Sequence, residues 1–164
     1  ATNLFGGTAL SDITDFAYRA YDASASNEKP FFHFNVKFND GTYNASEYAG
    51  RLVMVPNAGG NLGMNVGEWT EVDLLRSGNA LWTWSYYDEG PDKDDSTTAD
   101  NDSWPDGSTD QYRTWSDLQS AFPAATMDAA APFAGVRVGH PGPNSEENFV
   151  DWIQFNGVRY DFEN

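Results

Sequence analysis

The stretch PFFHFNVKFNDG, Pro30 to Gly41, alternates without a break: Phe32, Phe34, Val36 and Phe38 fall on one side, and Phe31, His33, Asn35 and Lys37 on the other. Successive side chains of a β-strand point to opposite faces, so this period of two marks a strand with one buried face. A helical period of 3.6 would scatter the same four apolar residues around the axis. Four large side chains on one face require a second apolar layer to cover them, and the Asn-Asp-Gly that follows turns the chain back toward one.

The same period recurs. ITDFAYRAYD from Ile13 sets Ile13, Asp15, Ala17, Arg19 and Tyr21 against Thr14, Phe16, Tyr18 and Ala20. Short runs follow: RLVMVP from Arg51, EWTEVDLL from Glu68, LWTWSYY from Leu81, AGVRVGH from Ala134 and NFVDWIQFNGVRYDF from Asn148, the last a hairpin folding at Asn156-Gly157. Glycine, asparagine and proline separate them, as turns require. One helix interrupts the pattern near 115–122: Thr114, Ser116 or both cap it, Asp117 completes a Thr-x-x-Asp capping box ahead of Leu118, Ala121 and Phe122, and Pro123 ends it. Short strands, one helix and Gly/Pro-rich turns define an all-β antiparallel sandwich of the jelly-roll kind. The length of 164 residues fits one domain, 1–164, carrying an acidic loop at 88–112.

Charge removes several classes of partner. The chain has 25 acidic and 9 basic residues, for a formal net charge of −16. Nucleic acid and anionic membrane surfaces both demand a positive face, so neither is expected. No apolar run reaches the roughly 18 residues of a spanning helix, so no membrane insertion is expected. The start at Ala1, with no basic-then-apolar leader, fits a processed or trimmed chain. Lysine occurs only at 29, 37 and 93, and aspartate outnumbers glutamate about two to one. A surface this acidic suits high salt, where screening removes its self-repulsion; an ordinary acidic extracellular protein is the alternative. Cysteine is absent, which excludes disulfides and thiolate metal sites.

Candidate chemistry is sparse. The two histidines, His33 and His140, read as strand-surface and turn residues. Glu71 and Asp73 share a face of their strand beside Trp69, the least unfavourable carboxylate pair for glycoside hydrolysis, which needs about 5 to 10 Å between carboxyl groups. Acidic residues are abundant enough to produce such pairs by chance, and no catalytic residue is assigned. Sugar binding asks for less: an aromatic face against the C–H side of a pyranose, with polar groups beside it for the hydroxyls. Trp82, Trp84 and Tyr86 share one face of LWTWSYY, opposite Leu81, Thr83, Ser85 and Tyr87, and either face fits the core. With the tryptophans outward, His33, Trp69 and Asp73 become companions on neighbouring strands. Trp152 and Gln154 likewise oppose Asp151, Ile153 and Phe155, so one face of that strand buries a polar group; an arginine or backbone hydrogen bond is the usual role for Asp151 and a cation ligand the other.

The acidic loop offers Asp92, Asp94, Asp95, Asp100 and Asp102 as oxygen ligands for a structural calcium ion, which takes about six to eight oxygens. Their spacing differs from that of the helix-loop-helix calcium loop, and a solvated excursion is the competing reading. Trp104 within it is expected to fold back on the sandwich or to reach a ligand. Asn44-Ala45-Ser46 and Asn101-Asp102-Ser103 are glycosylation sequons, with Asn44 and Asn101 as acceptors, and they favour the cell exterior.

The ordered series LSDITDFAYRAYD, PFFHFNVKFNDGTY, RLVMVP, GEWTEVDLL, LWTWSYY, TWSDLQSAFPAATM, GVRVGH and FVDWIQFNGVRYDFE resembles the lectin-like, carbohydrate-binding-module-like jelly-roll domains of secreted and surface proteins of bacteria and archaea, over Leu10 to Phe162. The resemblance implies an extracellular, non-catalytic glycan-binding or adhesion domain whose partner is a glycan or a neighbouring surface protein. Two departures qualify it. NDGTYN stands where such domains often carry a longer Asp-Gly repeat able to hold calcium, so the resemblance does not extend to a metal site at Asp40. ATNLFGGTA stands where a full leading strand belongs, and a missing edge strand invites another chain to add one, giving a homo-oligomer or polymer.

Thermal unfolding in calcium and then in excess chelator tests the acidic loop. A specific site raises stability by about 2.7 kcal/mol at a hundredfold excess of ion over its dissociation constant, and a solvated loop leaves the midpoint unchanged.

Overall fold

The structure, a computed structural model, describes residues 5–23, 29–39, 51–55, 61–77, 80–85, 104–106, 108, 110–128, 134–137 and 148–162. Nine strands and one helix follow one another in these segments: β1 Phe16–Tyr21, β2 Phe31–Lys37, β3 Arg51–Met54, β4 Trp69–Asp73, β5 Trp82–Ser85, α1 Trp115–Ala121, β6 Thr126–Met127, β7 Ala134–Arg137, β8 Phe149–Phe155 and β9 Val158–Asp161. They form two antiparallel sheets packed as a sandwich. One has the order β4-β1-β8-β9; the other has the order β5-β3-β2, with β6 and β7 both pairing with β2.

Alternation decides which residues meet between the sheets. Phe32, Phe34 and Val36 of β2, Leu52 and Met54 of β3, and Trp82 and Trp84 of β5 are all buried. The other sheet contributes Phe16, Tyr18 and Ala20 of β1, Val72 of β4 and Phe155 of β8. Phe16 lies at the centre, with ring centroids 4.4 Å from Phe32, 5.3 Å from Phe155, 6.3 Å from Trp82 and 6.4 Å from Trp115. The buried Tyr18 keeps its hydroxyl satisfied by donating to the Pro30 carbonyl at 2.7 Å, while desolvation pushes its ionisation well above the ordinary phenol range.

The helix follows from its cap. The Asp117 N–H donates to Thr114 Oγ1 at 3.2 Å and the Thr114 N–H donates to the Asp117 carboxylate at 3.0 Å, so two end groups are satisfied reciprocally. Hydrogen bonding from the Thr114 side chain, then from its backbone, holds the Asp117 carboxyl below the usual aspartate range, with Arg113 adding a smaller pull in the same direction. Trp115 and Leu118 face the core. Trp104 folds back as well: its indole N–H donates to the Asp110 carbonyl at 2.6 Å, its ring stacks 6.0 Å from Phe122, and Arg113 lies 4.6 Å above it.

The hairpin between β8 and β9 turns at Asn156-Gly157 with positive φ at both residues, +46° and +80°, the pair a tight primed turn needs. No strand precedes β1 among the described residues, in keeping with the expectation that a full leading strand is missing, yet the short segment there is paired. Residues 5–10 run beside β6: the Gly7 N–H donates to the Met127 carbonyl at 2.8 Å, the Met127 N–H to Thr8 at 2.9 Å and the Leu10 N–H to Ala125 at 2.9 Å. Phe5 stacks on Phe155 at 4.1 Å. This short segment thus hydrogen-bonds to β6 and packs Phe5 against the core without forming a full strand.

Two substitutions separate packing from capping. Trp82→Ala removes a ring with no solvent contact and is expected to cost about 3–5 kcal/mol, and Thr114→Ala about 1 kcal/mol, both read from urea unfolding. In Thr114→Ala the Asp117 carboxyl returns toward its ordinary pKa. A depressed folded-state carboxyl stabilises above its unfolded pKa and loses that contribution as pH falls through the folded value, so the variant should lose the matching acid-limb dependence. Carboxyl NMR titration checks it.

Candidate functional site

The outer face of the β4-β1-β8-β9 sheet carries two exposed aromatic side chains, Trp69 and Phe149, with the half-buried Tyr21 between them. Tyr21 stands opposite Trp69 of β4 on one side and opposite Phe149 of β8 on the other. The three rings form a row across three strands, with centroids 5.5 Å apart for Tyr21 and Trp69 and 6.0 Å for Tyr21 and Phe149. Trp69 is 42% exposed and Phe149 50%. All six tryptophans are described, and Trp69 alone among them is exposed.

A polar row lies beside the aromatic one. Arg19 stands opposite Glu71 of β4 and opposite Trp152 of β8. Its guanidinium sits 5.2 Å above the Trp69 ring and donates to Asp151 Oδ2 at 2.9 Å. A bulge makes this possible. Arg19 pairs with Trp152 while Ala20 pairs with Val150, so Asp151 is the extra residue. Strict alternation would send Asp151 inward with Ile153 and Phe155; the bulge releases it, and its carboxylate meets Arg19. Trp152 and Gln154 take the outer face, where Arg159 covers the Trp152 ring at 4.0 Å. Asp151 is thus an arginine partner, the commoner of its two expected roles.

The expected residues are redistributed. Trp82 and Trp84, candidate ligand residues only if their face turned outward, are corrected to core residues: Trp82 is fully buried and packs 5.2 Å from Trp115, and Trp84 lies 5.6 Å from Phe38. The reason is register, since Leu52↔Trp84 and Met54↔Trp82 place both indoles on the inner face of β3 and β5. His33 lies on the outer face of β2, in the opposite sheet from Trp69, so those two cannot share a ligand. Trp69 and Asp73 do share the outer face of β4 with Glu71. Asp73 Oδ1 accepts from the N–H groups of Leu75 and Arg76, both at 3.0 Å, and so caps the turn after β4. Tyr86, Asp92, Asp94, Asp95, Asp100, Asp102, Asn44, Asn101 and His140 lie outside the described residues. Among the described residues, no group of three or more His, Cys, Asp or Glu side chains gathers to hold a metal ion, and no helix is long and apolar enough to cross a membrane.

Arg19, Tyr21 and Phe149 are the members of this face that sequence reasoning left out. Period two places Arg19 and Tyr21 together on β1, but only strand pairing brings in residues 69 and 149. Comparison with protein-family models, curated proteins and solved structures finds no match.

Acrylamide quenching of tryptophan emission reads this arrangement directly. Trp69→Phe is expected to remove most of the quenchable fraction, and Trp84→Phe to leave it in place.

Proposed function

We propose that this chain is an extracellular, non-catalytic domain that binds glycan chains through the outer face of its four-stranded sheet. The observation that carries the reading is the row Trp69-Tyr21-Phe149, in which the one exposed tryptophan joins two rings from adjacent strands. Contiguous apolar surface of this kind marks an interaction site. Aromatic faces take the C–H side of a pyranose, and the neighbouring Arg19, Asp151 and Glu71 offer donors and acceptors to its hydroxyls. Fixed cross-strand pairing holds the rings in place, so little order has to be gained on binding. The resemblance to lectin-like jelly-roll domains points to the same ligand class.

A second reading is favoured by a different observation: Val158 and Phe162, on and beside the edge strand β9, are each more than half exposed. An edge with apolar side chains suits strand addition by a second copy, which would make the chain a surface or filament subunit.

A glycan array probed with the wild type and with Trp69→Ala tests the first reading. Loss of one stacking ring is expected to weaken binding roughly tenfold, corresponding to about 1.5 kcal/mol, while Val158→Ala leaves it unchanged. Absence of glycan binding together with ordered oligomers in light scattering would overturn the first reading in favour of the second.

A further inference from the structure

Four ion pairs join described residues, and one differs in kind from the others. Arg19–Asp151, Lys37–Asp128 and Arg113–Asp106 each keep at least one side chain partly in solvent, with the more exposed partner at 43%, 21% and 35%. In Lys29–Asp22 the side chains are 5% and 1% exposed, and Lys29 Nζ contacts Asp22 Oδ2 directly. Burying both charges carries a large desolvation cost, which a structural pair recovers poorly. The chain has three lysines and many exposed carboxylates available for solvated pairing, yet this lysine is spent in the interior.

The backbone on both sides is fixed. The Asp22 carbonyl accepts from the Gly67 N–H at 2.8 Å, and Asp22 bridges Val66 in parallel. The carbonyl of Pro30, next to Lys29, accepts from the buried Tyr18 hydroxyl at 2.7 Å. An amine and a carboxyl group are thus held in contact by two anchored segments in a site with little water. That is the arrangement in which an intramolecular reaction gains most from orientation.

We propose that Lys29 and Asp22 form an intramolecular isopeptide bond. The Lys29 ammonium passes one proton to the Asp22 carboxylate, leaving a neutral amine and a carboxylic acid. The amine nitrogen attacks Asp22 Cγ, forming the N–C bond. The C–O bond to the acid hydroxyl then breaks, and the nitrogen gives up a proton as the hydroxyl departs, so one water leaves and the product is an amide. No electron is transferred and no co-reactant is needed. Burial favours the product twice over: it removes the cost of two desolvated charges and withholds the water that hydrolysis needs. The bond closes the short connection between the end of β1 and the start of β2 into a covalent loop, in a chain that has no cysteine for a cross-link.

Intact mass spectrometry of the purified full chain under denaturing conditions tests this. The wild type is expected to be lighter than its sequence mass by one water, and Lys29→Arg and Asp22→Ala to show their full sequence masses. Cleavage after Glu28 should leave the two pieces joined, with fragmentation placing the link at Asp22 and Lys29. A wild-type chain at full mass overturns the proposal. So does a loss of water mapped to another residue, or a loss of ammonia linking Lys29 to the nearby buried Asn148 instead. The wild-type measurement is decisive even where a variant fails to fold.

Discussion

Phe16 depends on every layer at once, and the layers depend on it. Its ring touches β2 and β5 of one sheet through Phe32 and Trp82, β8 of its own sheet through Phe155, and the helix through Trp115. Aromatic rings at these separations gain from edge-to-face and offset contact beyond the area they bury. The sheets can approach only at the distance these rings allow, and that spacing fixes which outer residues stand beside one another. The aromatic row on the outer face follows from packing on the inner one: Phe16, Tyr18 and Ala20 turned inward leave Arg19 and Tyr21 no direction except outward.

The charge distribution complements this packing. In a chain with a formal charge of −16, several of the few cations take up specific positions. Arg19 bridges Trp69 and Asp151, Arg113 lies over Trp104 while pairing with Asp106, and Arg159 shields Trp152. Among the described residues, these three arginines are stacked on tryptophan, where a planar cation covers apolar surface and still meets solvent or a carboxylate. A lysine in the same places would supply charge without the flat cover.

Much of this architecture was legible in the residues. Period two in PFFHFNVKF gave the inner face of β2, Asn156-Gly157 gave the hairpin, and Thr114 with Asp117 gave the helix cap, because each is a local signal read within a few residues. The site was less legible. In LWTWSYY the two faces are equally suited to a core, and only pairing with Leu52 and Met54 decides that the indoles turn inward. Asp151 was ambiguous for a related reason: a bulge breaks parity at one residue, and no residue in FVDWIQF announces it. The aromatic row spans residues 21, 69 and 149, and its existence depends on long-range register that no local pattern encodes. The pairing of segment 5–10 was hidden by two glycines and short length, since its backbone hydrogen-bonds to β6 without forming a strand.

The place of β1 between β4 and β8 has a consequence for how such a molecule is made. Asp15 and Gln154, hydrogen-bonded in the finished sheet, are 139 residues apart. During synthesis β1 emerges before β8, so one of its edges stays unsatisfied until the residues between them have been translated. Many of the aspartates lie between these two strands, so the intervening chain carries the negative charge that disfavours association of like copies.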